Sequence, residues 1–406
     1  MNDNNDVTYK TFPLFKQLGD LSIESFLKDY WQKKPLLIRQ AFPNFEPSIS
    51  PDELAGFALE DDVVSRLIVE KNAMLSPHAS WEVEHGPLDA ERFASLPKSN
   101  WTLLVQNADQ LDPEINALLN AFRFIPNWRL DDIMVSYASD KGGVGPHFDY
   151  FDVFLLQAQG RRRWRIGQEC DVHSPLVPDQ SMKVLQDFHI SDEWICEPGD
   201  LLYIPAKRAH WGEAEGECIT YSIGFRAPSD SDFLLDFSQE CSAVLTEDMR
   251  YTDPALKQQD QPGEITDETL EKFKNKLANL LGDKRVLAKW LAEFATQNTE
   301  LTDEKSLYEI LHLDDYDHLI ESIEEEYEED ISLKLASYHR CVFLPESLIN
   351  KDGSIDCYVN GCVFKVSLSL AKLLSSYTPF LFKQLDKQQR QQLRPLVEDE
   401  LIEISG

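Results

Sequence analysis

The sequence predicts an α+β protein with an antiparallel β-sandwich or barrel in its middle part. Between residues 132 and 226, short apolar runs are separated by glycine, proline or polar turns, a pattern typical of all-β units. After Pro228 the apolar residues recur at helical intervals instead. The chain has 406 residues, of which 42% are hydrophobic, so it is long enough for two or three domains with cores of their own.

The first 130 residues combine short helices and short strands. Residues 25–31 and 52–59 have helical spacing. Residues 34–39 follow a proline break and predict a short strand, and residues 101–105 predict a buried strand. This part of the chain is therefore expected to contain both helices and strands.

The middle region carries the predicted β-sandwich. Its strands are expected at 134–137, 153–156, 162–166, 201–204 and 219–224. Each is short and ends at a turn, so an antiparallel arrangement is expected.

Two amphipathic helices are predicted after Pro228. Thr266 can cap the first, and Gly282 separates it from the second. Their apolar stripes consist of Leu270, Phe273, Leu277, Leu280 and Leu281, and then Leu287, Trp290, Leu291 and Phe294. Such a stripe either packs inside its own protomer or pairs across a dimer, and periodicity leaves both readings open.

The last hundred residues predict a third unit. An acidic run at 321–330 indicates a solvated helix face or a linker. Residues 357–365 predict a β-hairpin, because Asn360 and Gly361 suit a type I′ turn. Helices are expected at 367–376 and from Asp386, so the unit is winged-helix-like. Its low basic content favours protein docking over DNA binding.

The charge and cysteine content limit the class of protein. The formal net charge of −32 disfavours non-specific nucleic-acid binding and favours a basic partner, unless it serves only solubility. Seven cysteines without a CxxC pair indicate reduced thiols. The sequence shows neither a signal peptide nor a run long enough to cross a bilayer. A soluble, cytoplasmic protein that contacts no membrane is therefore expected.

The most informative motif pairs His147 with Asp149. Two residues apart in a predicted strand, they would project from one face, and His210 follows the predicted strand at 201–204. Two histidines and one carboxylate form the facial triad that holds iron(II) and leaves positions open for oxygen and a co-substrate. The competing interpretation is that both histidines are polar groups satisfied within a β-sandwich. We favour the metal and predict an oxygenase.

A second His-x-Asp pair, His312 and Asp314, tests how specific this pattern is. It lies in an acidic, helical stretch, where residues two apart point in different directions. We interpret this second pair as surface residues. The first pair follows a loop rich in glycine, with Gly142, Gly143 and Gly145, which suits the approach of a substrate.

Strand alternation distinguishes Arg162 from its basic neighbours. It places Arg162 beside Trp164 on one face, and Arg161, Arg163 and Arg165 on the other. If Trp164 packs inward, Arg162 is buried and needs an anionic partner. A dicarboxylate co-substrate would offer its far carboxylate. An exposed basic patch explains the other three arginines but not Arg162.

These motifs resemble a known family. The segments GPHFDYFDVFLLQAQGRRRWRIG (residues 145–167) and EPGDLLYIPAKRAHWG (residues 197–212) closely resemble the bacterial JmjC-type ribosomal oxygenases. Residues 221–228 and the opening motif at 31–35 do so as well. The resemblance covers essentially the whole chain and is most specific between Ser136 and Pro228.

The resemblance implies a fold and a division into domains. It implies a double-stranded β-helix of the JmjC/cupin type with an N-terminal extension in residues 1–228. A helical dimerisation region would follow in 229–305, and a winged-helix-like domain in 306–406. The expected assembly is a homodimer.

The resemblance also implies an activity: a 2-oxoglutarate-dependent dioxygenase of the protein arginine 3-hydroxylase type. Its cofactor would be Fe(II), its co-substrates 2-oxoglutarate and O2, and its substrate a basic large-subunit ribosomal protein, without direct nucleic-acid contact. The implied residues are His147, Asp149 and His210 for the metal, Arg162 and Ser136 for 2-oxoglutarate, and Asp140 and Ser222 for the substrate guanidinium.

Two other functions stay open at this point. The same iron site would serve an N-methyl protein demethylase, which only product analysis distinguishes. A non-catalytic, cupin-like binding protein would use the metal structurally. The triad disfavours that reading, because a structural zinc site normally has four protein ligands.

Overall fold

The computed structural model of the chain describes residues 10–71, 80–297, 310–324, 331–336 and 338–404. The expected domain boundary at 305/306 and residues 325–330 of the acidic run lie outside these ranges. Among the helices within them, none combines the length and the apolar character needed to cross a bilayer.

The described residues form the following helices and strands. The helices are α1 (Ile23–Asp29), α2 (Pro51–Phe57), α3 (Ala90–Ala94), α4 (Pro113–Leu118), α5 (Asp230–Val244), α6 (Asp267–Leu281), α7 (Lys284–Thr296), α8 (Leu313–Glu324), α9 (Leu368–Ser376) and α10 (Lys387–Glu398). The strands are β1 (Gln17–Leu18), β2 (Leu21–Ser22), β3 (Leu36–Ile38), β4 (Ser65–Lys71), β5 (Ser80–His85), β6 (Trp101–Val105), β7 (Leu130–Ala138), β8 (Val153–Glu169), β9 (Asp192–Cys196), β10 (Leu201–Ile204), β11 (Arg208–Phe225), β12 (Ser332–Leu335), β13 (Cys341–Phe343), β14 (Ile355–Val359), β15 (Cys362–Val366), β16 (Phe380–Leu381) and β17 (Ile402–Ile404).

The centre of the protein is a nine-stranded antiparallel sheet. Its strand order is β3-β10-β8-β11-β7-β6-β4-β5, and β9 pairs with β8 beside this path. The two long strands, β8 and β11, pair with each other on both sides of an irregularity between Glu215 and Ile219. The sheet folds over at this irregularity. The evidence is a hydrogen bond from Arg162, in the second half of β8, to Ser136 on β7, which crosses the interior of the folded sheet. The predicted antiparallel layout is confirmed.

Two strand boundaries were predicted wrongly. The segments predicted at 153–156 and 162–166 are one strand, β8, which continues through Gly160 in a left-handed conformation with φ of +64°. The strand predicted at 219–224 is the last part of β11, which begins at Arg208. In both cases a polar, glycine-containing stretch bulges within a strand instead of ending it.

The N-terminal residues belong to the same core as the sheet. Ser22 caps α1 through its side chain, and the helix buries Phe26 completely. The ring of Phe26 packs against Tyr203 and Phe154, with centroids 5.0 and 5.6 Å apart. Strand β3 extends the sheet by pairing with β10. The N-terminal residues therefore complete the core of the central sheet.

The predicted helices after Pro228 are present as α6 and α7. Thr266 caps α6 and Gly282 ends it, as predicted. Leu270, Phe273 and Leu277 on α6 are all exposed in the protomer. The side chains of Leu280 and Leu281 lie outside the described set. The stripe on α6 thus has no core of its own chain to cover it among the described residues.

Helix α7 faces two ways. Trp290 is buried and packs against Phe237, with ring centroids 4.8 Å apart. Ala292 belongs instead to the hydrophobic core of the C-terminal residues. Leu287 and Leu291 remain exposed. α7 therefore joins the helical region to the C-terminal unit.

The C-terminal unit has two three-stranded sheets, β16-β12-β17 and β13-β14-β15, and a core of its own. The predicted hairpin is present as β14 and β15, and both Asn360 and Gly361 have positive φ. The predicted helices are α9 and α10, the latter capped by Asp386. The acidic run contributes its first residues, up to Glu324, to α8.

Candidate active site

Three side chains converge where β11 begins. His147, Asp149 and His210 each offer one ligand atom, and these atoms lie within 4.8 Å of one another. Asp149 Oδ2 lies 3.8 Å from His147 Nε2 and 3.6 Å from His210 Nε2. Among the described residues, no other set of three His, Cys, Asp or Glu side chains meets this distance criterion.

The backbone around the triad differs from the prediction in two respects. His147 and Asp149 do not lie in a strand: His147 forms a single antiparallel bridge with His210, and the residues after it are irregular. His210 lies not at the end of the strand at 201–204 but near the start of the next strand, β11. Regular strand pairing is interrupted just before the triad, because Pro146 has no backbone N–H to donate and Gly145 has a positive φ.

Hydrogen bonds fix both imidazoles. His147 Nδ1 lies 3.0 Å from the carbonyl oxygen of Gly145, and His210 Nδ1 lies 2.9 Å from that of Arg208. With Nδ1 donating, the lone pair of each Nε2 points toward Asp149, the tautomer that binds a metal. Burial, and then the neighbouring His147, lower the pKa of His210 to about 4, so it is neutral and ready to act as a ligand.

Arg162 lies in the same cavity and has no counterion among the residues that the structure describes. It is 3% exposed, and its Nη1 donates to Ser136 Oγ at 3.2 Å and Thr220 Oγ1 at 3.4 Å. Its Nε has no partner, and no acidic side chain among the described residues pairs with it. Burial lowers the pKa of this guanidinium. A buried cation in this situation requires an anion from outside the chain.

The predicted alternation along β8 is confirmed. Trp164 is buried beside Arg162, and the guanidinium carbon lies 5.0 Å from the ring centroid. The three outward-facing arginines make ion pairs across the outer surface, Arg161 with Glu215, Arg163 with Glu193 and Glu215, and Arg165 with Glu193 and Glu213. The basic cluster is therefore neutralised everywhere except at Arg162.

One cavity of about 460 Å³ brings most of the predicted site residues together. The triad, Arg162, Ser136 and Ser222 all line it. Asp140 does not: its Oδ1 accepts a hydrogen bond of 2.8 Å from the amide of Gly216, which links the turn after β7 to β11. A contact between Asp140 and a substrate stays a prediction.

Asp132 and Thr220 are among the cavity residues that sequence reasoning missed. Asp132 shares an inward face of β7 with Met134 and Ser136, and that period of two was the available signal. Apart from Asp149, Asp132 is the only carboxylate among the described residues that line the cavity. Burial and the nearby Asp109 and Asp131 raise its pKa to about 7. A carboxylate placed there suits a cationic ligand group.

The residues fit both groups that the sequence resemblance implies. Two imidazoles and one carboxylate are a suitable donor set for iron(II), and three protein ligands leave coordination positions free. The unpaired guanidinium of Arg162 fits the far carboxylate of 2-oxoglutarate, and the hydroxyls of Ser136 and Thr220 lie beside it.

The fold and the site together define a JmjC-type oxygenase. A profile of the JmjC domain family matches residues 117–233. The ribosomal protein uL16 3-hydroxylase of Escherichia coli is 35% identical over 283 residues, which is 70% of this chain and 74% of that protein. A probable ribosomal oxygenase of Haemophilus influenzae is 39% identical over 64% of each chain. This chain belongs to the family of JmjC-domain ribosomal oxygenases.

Solved structures show the same relationship over almost the whole chain. The ribosomal oxygenase YcfD from Escherichia coli matches 96% of this chain and 99% of its own, with a TM-score of 0.78 and 29% identity. A structure of YcfD with cobalt and 2-oxoglutarate matches with a TM-score of 0.79 and 28% identity. The double-stranded β-helix and the additional C-terminal domain predicted from the sequence are thereby confirmed.

Proposed function

We propose that this protein is an iron(II)- and 2-oxoglutarate-dependent dioxygenase that hydroxylates an arginine side chain of a large-subunit ribosomal protein. The observation that carries the proposal is the buried, unpaired guanidinium of Arg162 in the same cavity as the His147, Asp149 and His210 triad. The name of the relative from Escherichia coli supports the substrate, and the YcfD structure with cobalt and 2-oxoglutarate supports the co-substrate.

The triad is proposed to hold the iron. Iron(II) with 2-oxoglutarate and dioxygen supplies the oxidation that inserts one oxygen atom into a C–H bond and releases succinate and carbon dioxide. The Nδ1 atom of each histidine donates to a carbonyl oxygen, which leaves Nε2 free to bind the metal, and the carboxylate of Asp149 supplies the negatively charged ligand. Arg162, Ser136 and Thr220 bind the far carboxylate and orient the co-substrate toward the triad.

The opposite part of the cavity is proposed to bind the substrate arginine. Asp132 offers a carboxylate and Ser222 a hydroxyl to the guanidinium, and both line the cavity. Met134 and Phe151 line it too and can flank the aliphatic part of the side chain. The guanidinium pairs with Asp132 because Asp149, the other lining carboxylate, faces the two histidines.

The charge of the whole protein supports a basic partner. A net charge of −32 attracts a basic ribosomal protein and accelerates the encounter between them. The same charge disfavours direct contact with nucleic acid. We place the enzyme in the cytoplasm, where ribosomal proteins are made and assembled.

We also propose a homodimer and three domains. The exposed apolar side chains of Leu270, Phe273 and Leu277 on α6 form a surface that a second copy would cover. The domains proposed are 1–228 for the oxygenase, 229–305 for dimerisation and 306–406 for the C-terminal unit. The last is supported by its separate core.

The function is tested by intact mass spectrometry of large-subunit ribosomal proteins incubated with enzyme, iron(II), 2-oxoglutarate and air. The expected product gains the mass of one oxygen atom on a single arginine. His147→Ala should abolish this gain, whereas His312→Ala, which removes the exposed histidine of the second His-x-Asp pair, should leave it unchanged. Loss of a methyl group would indicate a demethylase. Iron binding without turnover of 2-oxoglutarate would indicate a non-catalytic binding protein.

A further inference from the structure

The C-terminal domain makes an ion pair with the strand that carries the substrate pocket. Arg340, which precedes β13, places Nη2 2.7 Å from Oδ1 of Asp131 on β7. The same nitrogen lies 3.5 Å from the backbone carbonyl oxygen of Asp131. Asn127, just before β7, also donates to the carbonyl oxygen of Ser375 at 2.7 Å. These contacts hold the two domains together at the start of β7.

The ion pair lies one residue from the cavity. Neighbouring residues on a strand point to opposite faces, so Asp131 faces the C-terminal domain and Asp132 faces the cavity. Asp132 Oδ2 accepts a 3.2 Å hydrogen bond from the amide of Asn107. Asp109, 4% exposed, accepts one of 2.8 Å from the amide of Ile133. The carboxylates of Asp109, Asp131 and Asp132 therefore lie close to the first residues of β7.

The positive charges near these carboxylates are few. Arg340 is the cation that makes an ion pair with one of the three among the described residues. Arg226, at the end of β11, donates to the carbonyl oxygen of Ala295 instead. Arg66 on β4, His85 on β5 and Lys183 also line the cavity, but among the described residues none of them makes an ion pair with these carboxylates. The C-terminal domain thus provides the paired charge at this position.

We propose that Arg340 is a positioning residue of the oxygenase site, whose positive charge lets Asp132 face the cavity as an anion that binds the substrate guanidinium. The C-terminal domain would then be an electrostatic part of substrate recognition. This inference rests on the proposed function, since it assumes a cationic substrate side chain.

The acid-base behaviour of the cluster agrees with the geometry. Burial and the charges of Asp109 and Asp131 raise the pKa of Asp132, the amide of Asn107 and the charge of Arg340 lower it, and the net value is about 7. Burial likewise raises the pKa of Asp109 to about 6, against the influence of Arg340. Asp132 therefore titrates near neutral pH, where a small change in the surrounding charge alters its ionised fraction most.

The main test is the Arg340→Gln variant. Its Asp132 should have a higher pKa, so the KM for the ribosomal protein should rise near neutral pH and return toward the wild-type value in alkali. A rise of one pKa unit would cut the ionised fraction about fivefold at about pH 7, and by only about a quarter at about pH 8.5. The KM for 2-oxoglutarate should not change. Arg340→Lys should restore the wild-type pH profile.

Asp131→Asn separates charge from structure. It breaks the same ion pair as Arg340→Gln but removes a negative charge, so the pKa of Asp132 should fall and the pH profile should move the opposite way. If both variants shift the profile in the same direction, the ion pair acts only structurally and the proposal is wrong. Arg394→Gln, which breaks the Arg394–Asp317 pair within the C-terminal domain, should leave the profile unchanged.

A direct titration decides the proposal independently of turnover. Carbon-13 NMR of protein labelled at aspartate carboxyls, with the Asp132 signal assigned by Asp132→Asn, should show its pKa raised in Arg340→Gln and lowered in Asp131→Asn. Equal pKa values in the three proteins would overturn the inference. If the titrations shift as expected but no ribosomal protein is hydroxylated, the charge coupling stands and the proposed function fails.

Discussion

The backbones of His147 and His210 hydrogen-bond to each other in both directions. The amide of His147 donates to the carbonyl oxygen of His210 at 3.0 Å, and the amide of His210 donates back at 2.8 Å. This pair of bonds sets the separation of the two imidazoles, whose centroids lie 4.2 Å apart. The chain therefore determines the ligand geometry by itself, before a metal is bound.

Removal of the metal is accordingly expected to leave the fold intact. A chelator should lower the midpoint of thermal unfolding only by the lost binding free energy, with the far-ultraviolet circular dichroism unchanged. His147→Ala, compared in parallel, should not respond to the chelator. Loss of strand signal on chelation would show that the metal organises the site.

Arg162→Met should separate stability from co-substrate binding. Without 2-oxoglutarate, Arg162 is a buried cation without a counterion, so methionine of similar length should stabilise the protein by about 1–4 kcal/mol. Loss of the charged hydrogen bonds should weaken 2-oxoglutarate binding by about 3 kcal/mol, roughly a hundredfold. Thermal unfolding with and without 2-oxoglutarate measures both, and a less stable apo variant would contradict this account.

Substitution of two glycines on β11 should raise the KM for different substrates. A Cβ at Gly212 would lie 2.6 Å from Cζ3 of Trp164 and 2.8 Å from Nε of Arg162, so Gly212→Ala should raise the KM for 2-oxoglutarate. A Cβ at Gly224 would lie 3.2 Å from Oδ1 of Asp132, so Gly224→Ala should raise the KM for the ribosomal protein. Gly56→Ala, with no atom within 4 Å, is the control. If Gly212→Ala and Gly224→Ala had identical effects, 2-oxoglutarate and the ribosomal protein would not bind in separate parts of the cavity.

His339 should make the C-terminal unit sensitive to acid. Burial lowers its pKa to about 4, from 6.5 when unfolded. Above about pH 6.5, His339 is neutral in both the folded and the unfolded state, so it does not change the free energy of unfolding. As the pH falls toward about 4, the unfolded state takes up the proton first. The folded state should lose about 3 kcal/mol over this interval. Denaturant unfolding of wild type and His339→Gln across that range should show a smaller loss for the variant, and parallel curves would exclude the effect.

The exposed stripe of α6 gives a test of assembly. The side chains of Leu270, Phe273 and Leu277 are 55%, 49% and 59% exposed, so Phe273→Glu would place a charge in the centre of a dimer interface. We expect the variant to sediment as a monomer at concentrations where the wild type is a dimer. Val172→Glu, at an apolar residue 78% exposed elsewhere, should not alter the mass. A monomeric wild type would refute the homodimer.

The parts of the site that sequence could predict are encoded locally. Arg162 and Trp164 are two residues apart on one strand, so alternation alone placed both on one face, and the inward packing of Trp164 makes that face the buried one. His147 and Asp149 could be recognised because their spacing is short and His210 follows a distinct strand. The distances between them, and the irregular backbone of the pair, arise from the bridge to His210.

The parts that sequence missed depend on contacts between distant segments. Asp132 belongs to the cavity because β7 pairs with β11 and Gly224 leaves space for its carboxylate. Asp140 was expected to face a substrate, but it accepts a hydrogen bond from Gly216, a residue far away in the chain. The period of two along β7 places Asp132 on the same face as Ser136, but the pairing with β11 and the contact between Asp140 and Gly216 have no signature within a few residues. For the same reason, the bulge at Gly160 was taken for a turn.

The continuity of β11 limits how this enzyme can acquire new substrates. His210, near its start, belongs to the triad, and Ser222, near its end, lines the same cavity. Inserting one residue into the paired parts would turn every later side chain to the opposite face. Length changes are tolerable only near Gly216, where the register with β8 is already irregular. Divergence in specificity should therefore proceed by substitution along β7 and β11, and a search for variants with altered specificity should keep the length of this strand fixed.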